Sequence, residues 1–372
     1  MIATPKDSFD EWMGLPVPGE PDDRRFTVRR AAPEEFERIY DLVDLAFGRK
    51  RPRPLYDWLY RENPFGLARS WIVLERETGE LLKAGTNFPW PIWRGEEEVP
   101  LGVFSGDHVT APRWQRQGLT AVRRQVRQTH PWDGRGIAIS GPNAASRIVI
   151  QKAGDGDELL GALRGGIVVF RSRALLGRAG LPGLVATPAS YAADALLSLW
   201  QRAGARSGRG AGARIEEVRR FSVDFDDVTL RTMSFPKFWC PHNADFLNWR
   251  YLDHPVESYV GFAMVEDERP TGYAVLRLAG EGATLSEFAV EPSPTPRAVK
   301  LLSHVLSIAR EAGCGYLNFF ASPSWRHWGL FRRVGFIPYR TPNHLDASGR
   351  QYEPEVQDMR NWQLLPGDRD YH

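Results

Sequence analysis

The chain has 372 residues, 42% of them hydrophobic and 25% charged, with a formal net charge of +2. This profile is ordinary for globular proteins and excludes the disordered, collagen-like and disulfide-scaffold classes. The length fits two domains, and a charge so close to zero gives no electrostatic reason to expect a nucleic-acid partner.

Residues 1–23, MIATPKDSFDEWMGLPVPGEPDD, are acidic and proline-rich. They are expected to be extended or disordered, and without an apolar h-region they do not read as a secretory signal. No run of 18 apolar residues follows, so a soluble, cytoplasmic protein is expected. The basic residues are mostly arginine, with only six lysines (Lys6, Lys50, Lys83, Lys152, Lys237, Lys300), a bias that a GC-rich genome produces.

The first α/β unit is expected over residues 24–165. Its segment Trp58-Leu-Tyr60-Arg-Glu62-Asn-Pro64 runs into SWIVLERETGELLKAG, which reads as strand, polar turn, strand. A further strand ends near Thr110. The polar turn after it leads to Gly118, which opens a helix with Leu119, Val122 and Val126 on one face. Amide groups left unpaired at a helix start, with the helix dipole behind them, suit a phosphate, and glycine at 118 lets a ligand approach the backbone closely. Arg113, Arg116, Arg123 and Arg124 can add charge-assisted contacts. Later, Asn143 is placed to cap the helix that follows it, from which Arg147 and Lys152 could reach a phosphate.

Residues 166–215 form an expected linker. From Arg164 to Arg220 there are ten arginines against three acidic residues, and Ala189 to Trp200 carry apolar residues at helical spacing. This reads as a connecting helix packed on one domain, followed by a flexible SGRGAGA stretch. The alternative is a basic amphipathic helix that touches a membrane or an anionic partner.

Residues 216–372 repeat the first unit. Trp249-Arg-Tyr251-Leu-Asp253-His-Pro255 matches the Trp58 segment at an offset of 191, and YVGFAMVEDERPTGYAVLR again reads as strand, turn, strand. FSGDHVTAPRW then pairs with LSEFAVEPSP, aligning Pro112 with Pro292, and Asn143–Gly154 pairs with Ser324–Gly335. The two cysteines, Cys240 and Cys314, form no Cys-x-x-Cys pair, so neither a zinc site nor a disulfide framework is expected. Cys240 reads as a packed thiol and nearby His242 as a surface imidazole.

Gln115-Arg-Gln-Gly118-Leu-Thr120, preceded by a strand and Pro112, resembles the phosphate turn of the GNAT (Gcn5-related N-acetyltransferase) superfamily. Leu330-Phe-Arg-Arg-Val-Gly-Phe336 resembles that superfamily's usual ending. The resemblance covers about 300 residues as a tandem pair. It implies an α/β fold of two GNAT-like domains, each a mixed, mostly antiparallel central sheet flanked by helices. It also implies an acyl-CoA whose pyrophosphate lies on the amides of Gln117, Gly118 and Thr120, and whose pantetheine runs along the strand through Val109 and Thr110. Gln115, Arg116, Leu119 and Asn143 complete the expected donor site. The second half lacks the glycine, and the three prolines of residues 291–297 remove amide donors, so donor binding is expected in the first half alone.

An attacking amine must lose a proton, which makes Asp107 and His108 the candidate catalytic residues on the strand before the turn. Consecutive strand residues face opposite sides, unless a bulge of the kind GNAT domains often carry here intervenes. The superfamily's frequent acidic tyrosine falls at Ile150 and Phe331, neither of which can donate a proton. Trp58 and Tyr60 are candidate acceptor-binding residues, with Trp249 and Tyr251 their counterparts, and the alternative for all four is core packing. His327 and Trp325 matter only if the second half binds a ligand.

The expected function is transfer of an acyl group from acetyl-CoA or another acyl-CoA to an amine of a small molecule, amino sugar or peptide, with no metal. A long-chain donor delivered by an acyl carrier protein, an aminoacyl-tRNA-dependent transferase and a non-catalytic acyl-CoA-binding scaffold are the alternatives. The expected partner is the small-molecule or peptide amine acceptor, with an acyl carrier protein as the alternative; no nucleic acid is expected, the chain is expected to be a monomer or homodimer, and peripheral membrane contact is the alternative noted for the linker.

Overall fold

The computed structural model describes residues 25–119, 136–143, 146–147, 158–172, 183–208, 212–232, 237–292, 295–349 and 352–368. The chain divides into two units. The first comprises Met1–Leu160, Leu345–Asp358 and His372, and the second Gly161–His344 and Met359–Tyr371.

The first unit opens with β1 (Phe26–Arg30), α1 (Phe36–Phe47) and α2 (Arg53–Tyr60). In α1 the apolar residues Phe36, Ile39, Tyr40 and Val43 recur at helical spacing and are buried. The helix stops at Gly48, whose left-handed conformation lets its N–H cap the Asp44 carbonyl. Next come β2 (Arg69–Glu75), β3 (Leu81–Pro89), β4 (Leu101–Thr110) and β5 (Gly136–Ser140). β1 to β4 pair antiparallel in chain order, and β5 lies parallel to β4.

After β6 (Glu158–Val169) and the long helix α3 (Gly183–Ala205), the second unit repeats this plan. β7 (Arg214–Val218), α4 (Asp224–Thr232) and α5 (Ala244–Leu247), with a π-helical turn over Asn248–Leu252, precede β8 (Tyr259–Glu266), β9 (Arg269–Ala279) and β10 (Gly282–Val290). α6 (Thr295–Glu311) then leads to β11 (Tyr316–Ala321), parallel to β10 as β5 is to β4. α6 buries Val299, Leu302, Val305 and Leu306 in a core shared with Leu276, Leu285 and Leu317, each such side chain contributing about 1.5–3 kcal/mol relative to exposure. α7 (Trp328–Arg333) and β12 (Ile337–Ser348) follow. Both units are thus mixed, mostly antiparallel sheets flanked by helices.

The division of the chain differs from the expected 24–165, 166–215 and 216–372. The linker helix α3 belongs to the second unit, where Gln201 Nε2 donates to the Val169 carbonyl at 3.0 Å. Residues 345–358 belong to the first, because Asp346–Ser348 pair antiparallel with Ser140–Ala138 and Glu355 pairs with Arg94 at 2.9 Å.

Candidate functional site

β3 and β4 fall out of register at one point. Ala84 pairs with Val109 but Thr86 pairs with Gly106, so Asp107 and His108 together oppose Gly85. This is a β-bulge, and Asp107 takes up the extra residue with a positive φ of 47°. β4 pairs with β5 only from Leu101 to Ser105, while β4 itself continues to Thr110 beside β3. The bulge therefore lies just past the point where β4 and β5 part.

The two bulge residues have separate surroundings. The Asp107 carboxylate is 6% exposed and lies 2.9 Å from Arg51 Nη1, itself 8% exposed. Tyr60 donates its only hydroxyl proton to Asp107 Oδ2 at 3.0 Å, so Thr86, 3.1 Å away, must donate to Tyr60, and Ser70 must donate to Thr86 at 2.8 Å. Burial, and then the Asp107 charge, push the Tyr60 hydroxyl well above its ordinary pKa. The hydroxyl keeps its proton and holds Asp107.

His108 is exposed. Its Nε2 lies 2.8 Å from Ser105 Oγ, and Ser105 donates to Asn87 Oδ1 at 2.9 Å. With the single Ser105 proton committed to Asn87, Nε2 is the donor and Nδ1 carries the lone pair. A Cβ at Gly85 would come within 2.6 Å of His108 Nδ1 and 2.4 Å of the Trp71 ring. Glycine at 85 is what lets the imidazole sit there.

Beyond Thr110 the chain makes a short 3-10 turn, Pro112–Trp114, anchored by buried Trp114 and, after it, buried Leu119. Gln115 to Gly118 between these anchors are exposed. Arg116 and Gly118 have φ of 63° and 81°, and a Cβ at Gly118 would meet nothing within 4 Å. Among the described residues the backbone N–H groups of Arg116, Gln117 and Gly118 donate no hydrogen bond within the protein. Gln115 Nε2 instead reaches the Thr110 carbonyl at 3.4 Å, and Gln117 Nε2 the Arg113 carbonyl at 2.7 Å. Val109 is buried, and Thr110 accepts from Lys83 Nζ at 3.1 Å. Thr120, Val122, Arg123, Arg124, Val126, Ile150 and Lys152 lie outside the described residues.

Asn143 Oδ1 accepts from Ser146 N at 2.9 Å, an N-cap contact. Trp58 and Tyr60 are 1% and 0% exposed. They are core residues, the packing alternative that the sequence left open, because α2 ends in three consecutive buried residues, Leu59 included. Trp249 and Tyr251 are buried in the same way.

The second unit carries an equivalent buried acid. The offset of 180 that aligns Pro112 with Pro292 aligns Asp107 with Glu287, and Tyr251 donates to Glu287 as Tyr60 does to Asp107. The cation differs. His242, far from being a surface imidazole, is buried, with Nδ1 2.9 Å from Glu287 and Nε2 2.9 Å from Asp368. Burial alone would lower its pKa, but the two carboxylates raise it to about 10. Past the point where β10 leaves β11, at Thr284↔Asn318, the rings of Phe288, Phe319, Trp325 and Phe331 pack together with centroids 4.6–6.3 Å apart. His327 accepts from Arg326 Nε at 2.9 Å, and burial followed by the Arg326 charge lowers its pKa to about 3.

Sequence reasoning missed Arg51, Glu287 and Asp368. Glu287 could have been found by carrying the Pro112–Pro292 alignment back to Asp107. Arg51 lies 56 residues from its partner, with no local signal.

No protein-family model matches the chain, and no curated protein matches it. Solved structures do. A conserved protein from Enterococcus faecalis, described as a probable N-acyltransferase, superposes with a TM-score of 0.62 at 12% identity over 87% of this chain and 72% of that one. A GCN5-related N-acetyltransferase from Anabaena variabilis gives 0.59 at 11% identity, over 87% and 72%. The N-myristoyltransferase of Saccharomyces cerevisiae with bound myristoyl-CoA gives 0.52 at 12% identity, over 88% and 83%. The chain has the fold of the GCN5-related N-acetyltransferases.

Proposed function

We propose that the protein is an acyl-CoA-dependent N-acyltransferase whose first unit binds the donor, acetyl-CoA or a longer acyl-CoA, and whose acceptor is the amine of a small molecule, amino sugar or peptide. The observation that carries this reading is the parting of β4 from β5 at a bulge, followed within ten residues by exposed amides in a left-handed turn. Those amides suit a pyrophosphate, with Arg116 beside them. The thioester would lie along the end of β4 near Val109 and Thr110.

In this reading the amine nitrogen attacks the thioester carbonyl carbon, the new C–N bond forms, and the C–S bond breaks to release the thiolate. Proximity and backbone N–H donors toward the developing oxyanion supply most of the acceleration. His108 takes the amine proton. Its ring is exposed, and Ser105 fixes its orientation. Asp107 is a positioning residue, its carboxylate committed to Arg51 and Tyr60 in holding the bulge. An acyl carrier protein could present the same thioester, because the turn contacts only the pantetheine and phosphate end of a donor.

The test is a thiol-release assay with acyl-CoA of increasing chain length and a panel of amines. His108→Gln is expected to lower kcat about a hundredfold or more with the donor KM little changed. Turnover unaffected by that variant would remove His108 as the base. Donor binding without acylation of any amine would favour a non-catalytic acyl-CoA-binding protein.

A further inference from the structure

Helix α3 is amphipathic in the reverse sense. A surface helix normally turns its apolar stripe inward and its polar residues to water. In α3 Ser190, Asp194 and Gln201 point inward. Ser190 and Gln201 are buried, and Asp194 accepts from the Ser172 backbone N–H at 2.7 Å. Gln201 donates to the Val169 carbonyl and accepts from Arg310. Gly204 lets the helix approach so closely that a Cβ there would come within 2.2 Å of the Arg333 carbonyl oxygen. The helix is therefore fixed to the second unit by specific contacts and cannot simply roll over.

Its outer face consists of Tyr191, Leu196, Leu199 and Trp200, exposed by 72%, 69%, 62% and 42%, with small alanines between them. At about 100° per residue these side chains fall on one half of the helix circumference. The exposed charges there are cationic, Arg202 on the helix and Arg206 in the turn after it. A contiguous apolar face rimmed by charge marks an interaction site.

We propose that this face docks on an anionic lipid surface, with Leu196 and Leu199 entering the acyl boundary, Tyr191 and Trp200 at the headgroup level, and Arg202 and Arg206 on lipid phosphates. A lone helix offers a convex face, which a fluid bilayer accommodates without a matching groove. Aromatic residues with polar edges and arginines favour that boundary. No described helix is long and apolar enough to cross a membrane, so the helix lies on the surface. A second copy of the chain would bring a like-charged face against this one.

The experiment is flotation of the full-length chain with vesicles of phosphatidylcholine alone and with phosphatidylglycerol added. The wild type is expected to float with the anionic vesicles and much less with the neutral ones. Leu196→Glu with Leu199→Glu is expected to weaken that binding about tenfold or more, with the circular dichroism unchanged because both sites are exposed. Arg202→Ser with Arg206→Ser, or high salt, should weaken it several-fold. Three results would overturn the proposal: a wild type that floats with neither vesicle, binding that survives the double glutamate variant, or light scattering that shows a dimer which the glutamates disperse, assigning the face to a second copy.

Discussion

Each unit buries one carboxylate on its central strand beneath a tyrosine hydroxyl, Asp107 under Tyr60 and Glu287 under Tyr251. The first is neutralised by an arginine. The second shares a histidine with Asp368, close to the end of the chain. Past these acids the units diverge further, with an exposed glycine turn in the first and packed aromatic rings in the second, where Pro292, Pro294 and Pro296 supply no amide donors. The shared acid–tyrosine pair therefore belongs to the scaffold, and the proposed function places the donor chemistry in what differs, the turn and the strand opening.

The largest expected effect lies in the second unit. His242→Ala leaves two buried carboxylates without their cation and should cost about 3–5 kcal/mol, read from thermal unfolding. Because the His242 pKa is raised from an ordinary value near 6.5 to about 10, its stabilisation is complete below about pH 6.5 and is lost as the pH rises toward 10. Wild-type stability should fall across that alkaline range more steeply than that of the variant. Arg51→Ala leaves a single unpaired carboxylate, so its cost should fall at or below the lower end of that range, about 3 kcal/mol. A smaller cost at His242 than at Arg51 would show that the second cluster is not the tighter lock. Gly85→Ala should cost about 1–3 kcal/mol, because its Cβ collides with Trp71 and His108. It should also lower turnover if His108 is the base. Normal turnover in a folded Gly85→Ala protein would separate the His108 position from catalysis.

Much of the scaffold was legible in the sequence. The three ordered matches between the halves correspond to α2 and the π-helical turn, to the bulged central strands, and to the segments after the parallel strands. The bulge at Asp107 follows from the resemblance, and the Asn143 cap from its residue type. Long-range pairings were not legible. Nothing local ties Arg51 to Asp107 or His242 to Asp368, and no local pattern says that residues 345–358 return to the first unit. Periodicity located the apolar stripe of α3 but not which side it turns outward, because that is decided by the polar contacts of Ser190, Asp194 and Gln201.

The central claim, that the acyl donor is held by the first unit's turn and not by the second unit, is tested most directly by calorimetric titration of acetyl-CoA and a long-chain acyl-CoA into the wild type and Gly118→Asp. A Cβ at 118 meets nothing within 4 Å, so the cost of the variant is the left-handed backbone, φ 81°, at about 1–2 kcal/mol; it should fold with that loss while placing a negative charge where the pyrophosphate is expected. One saturable site per chain, lost in Gly118→Asp while its circular dichroism stays that of the wild type, is the predicted result. Donor binding that survives in the variant, or two equivalent sites per chain, would contradict it.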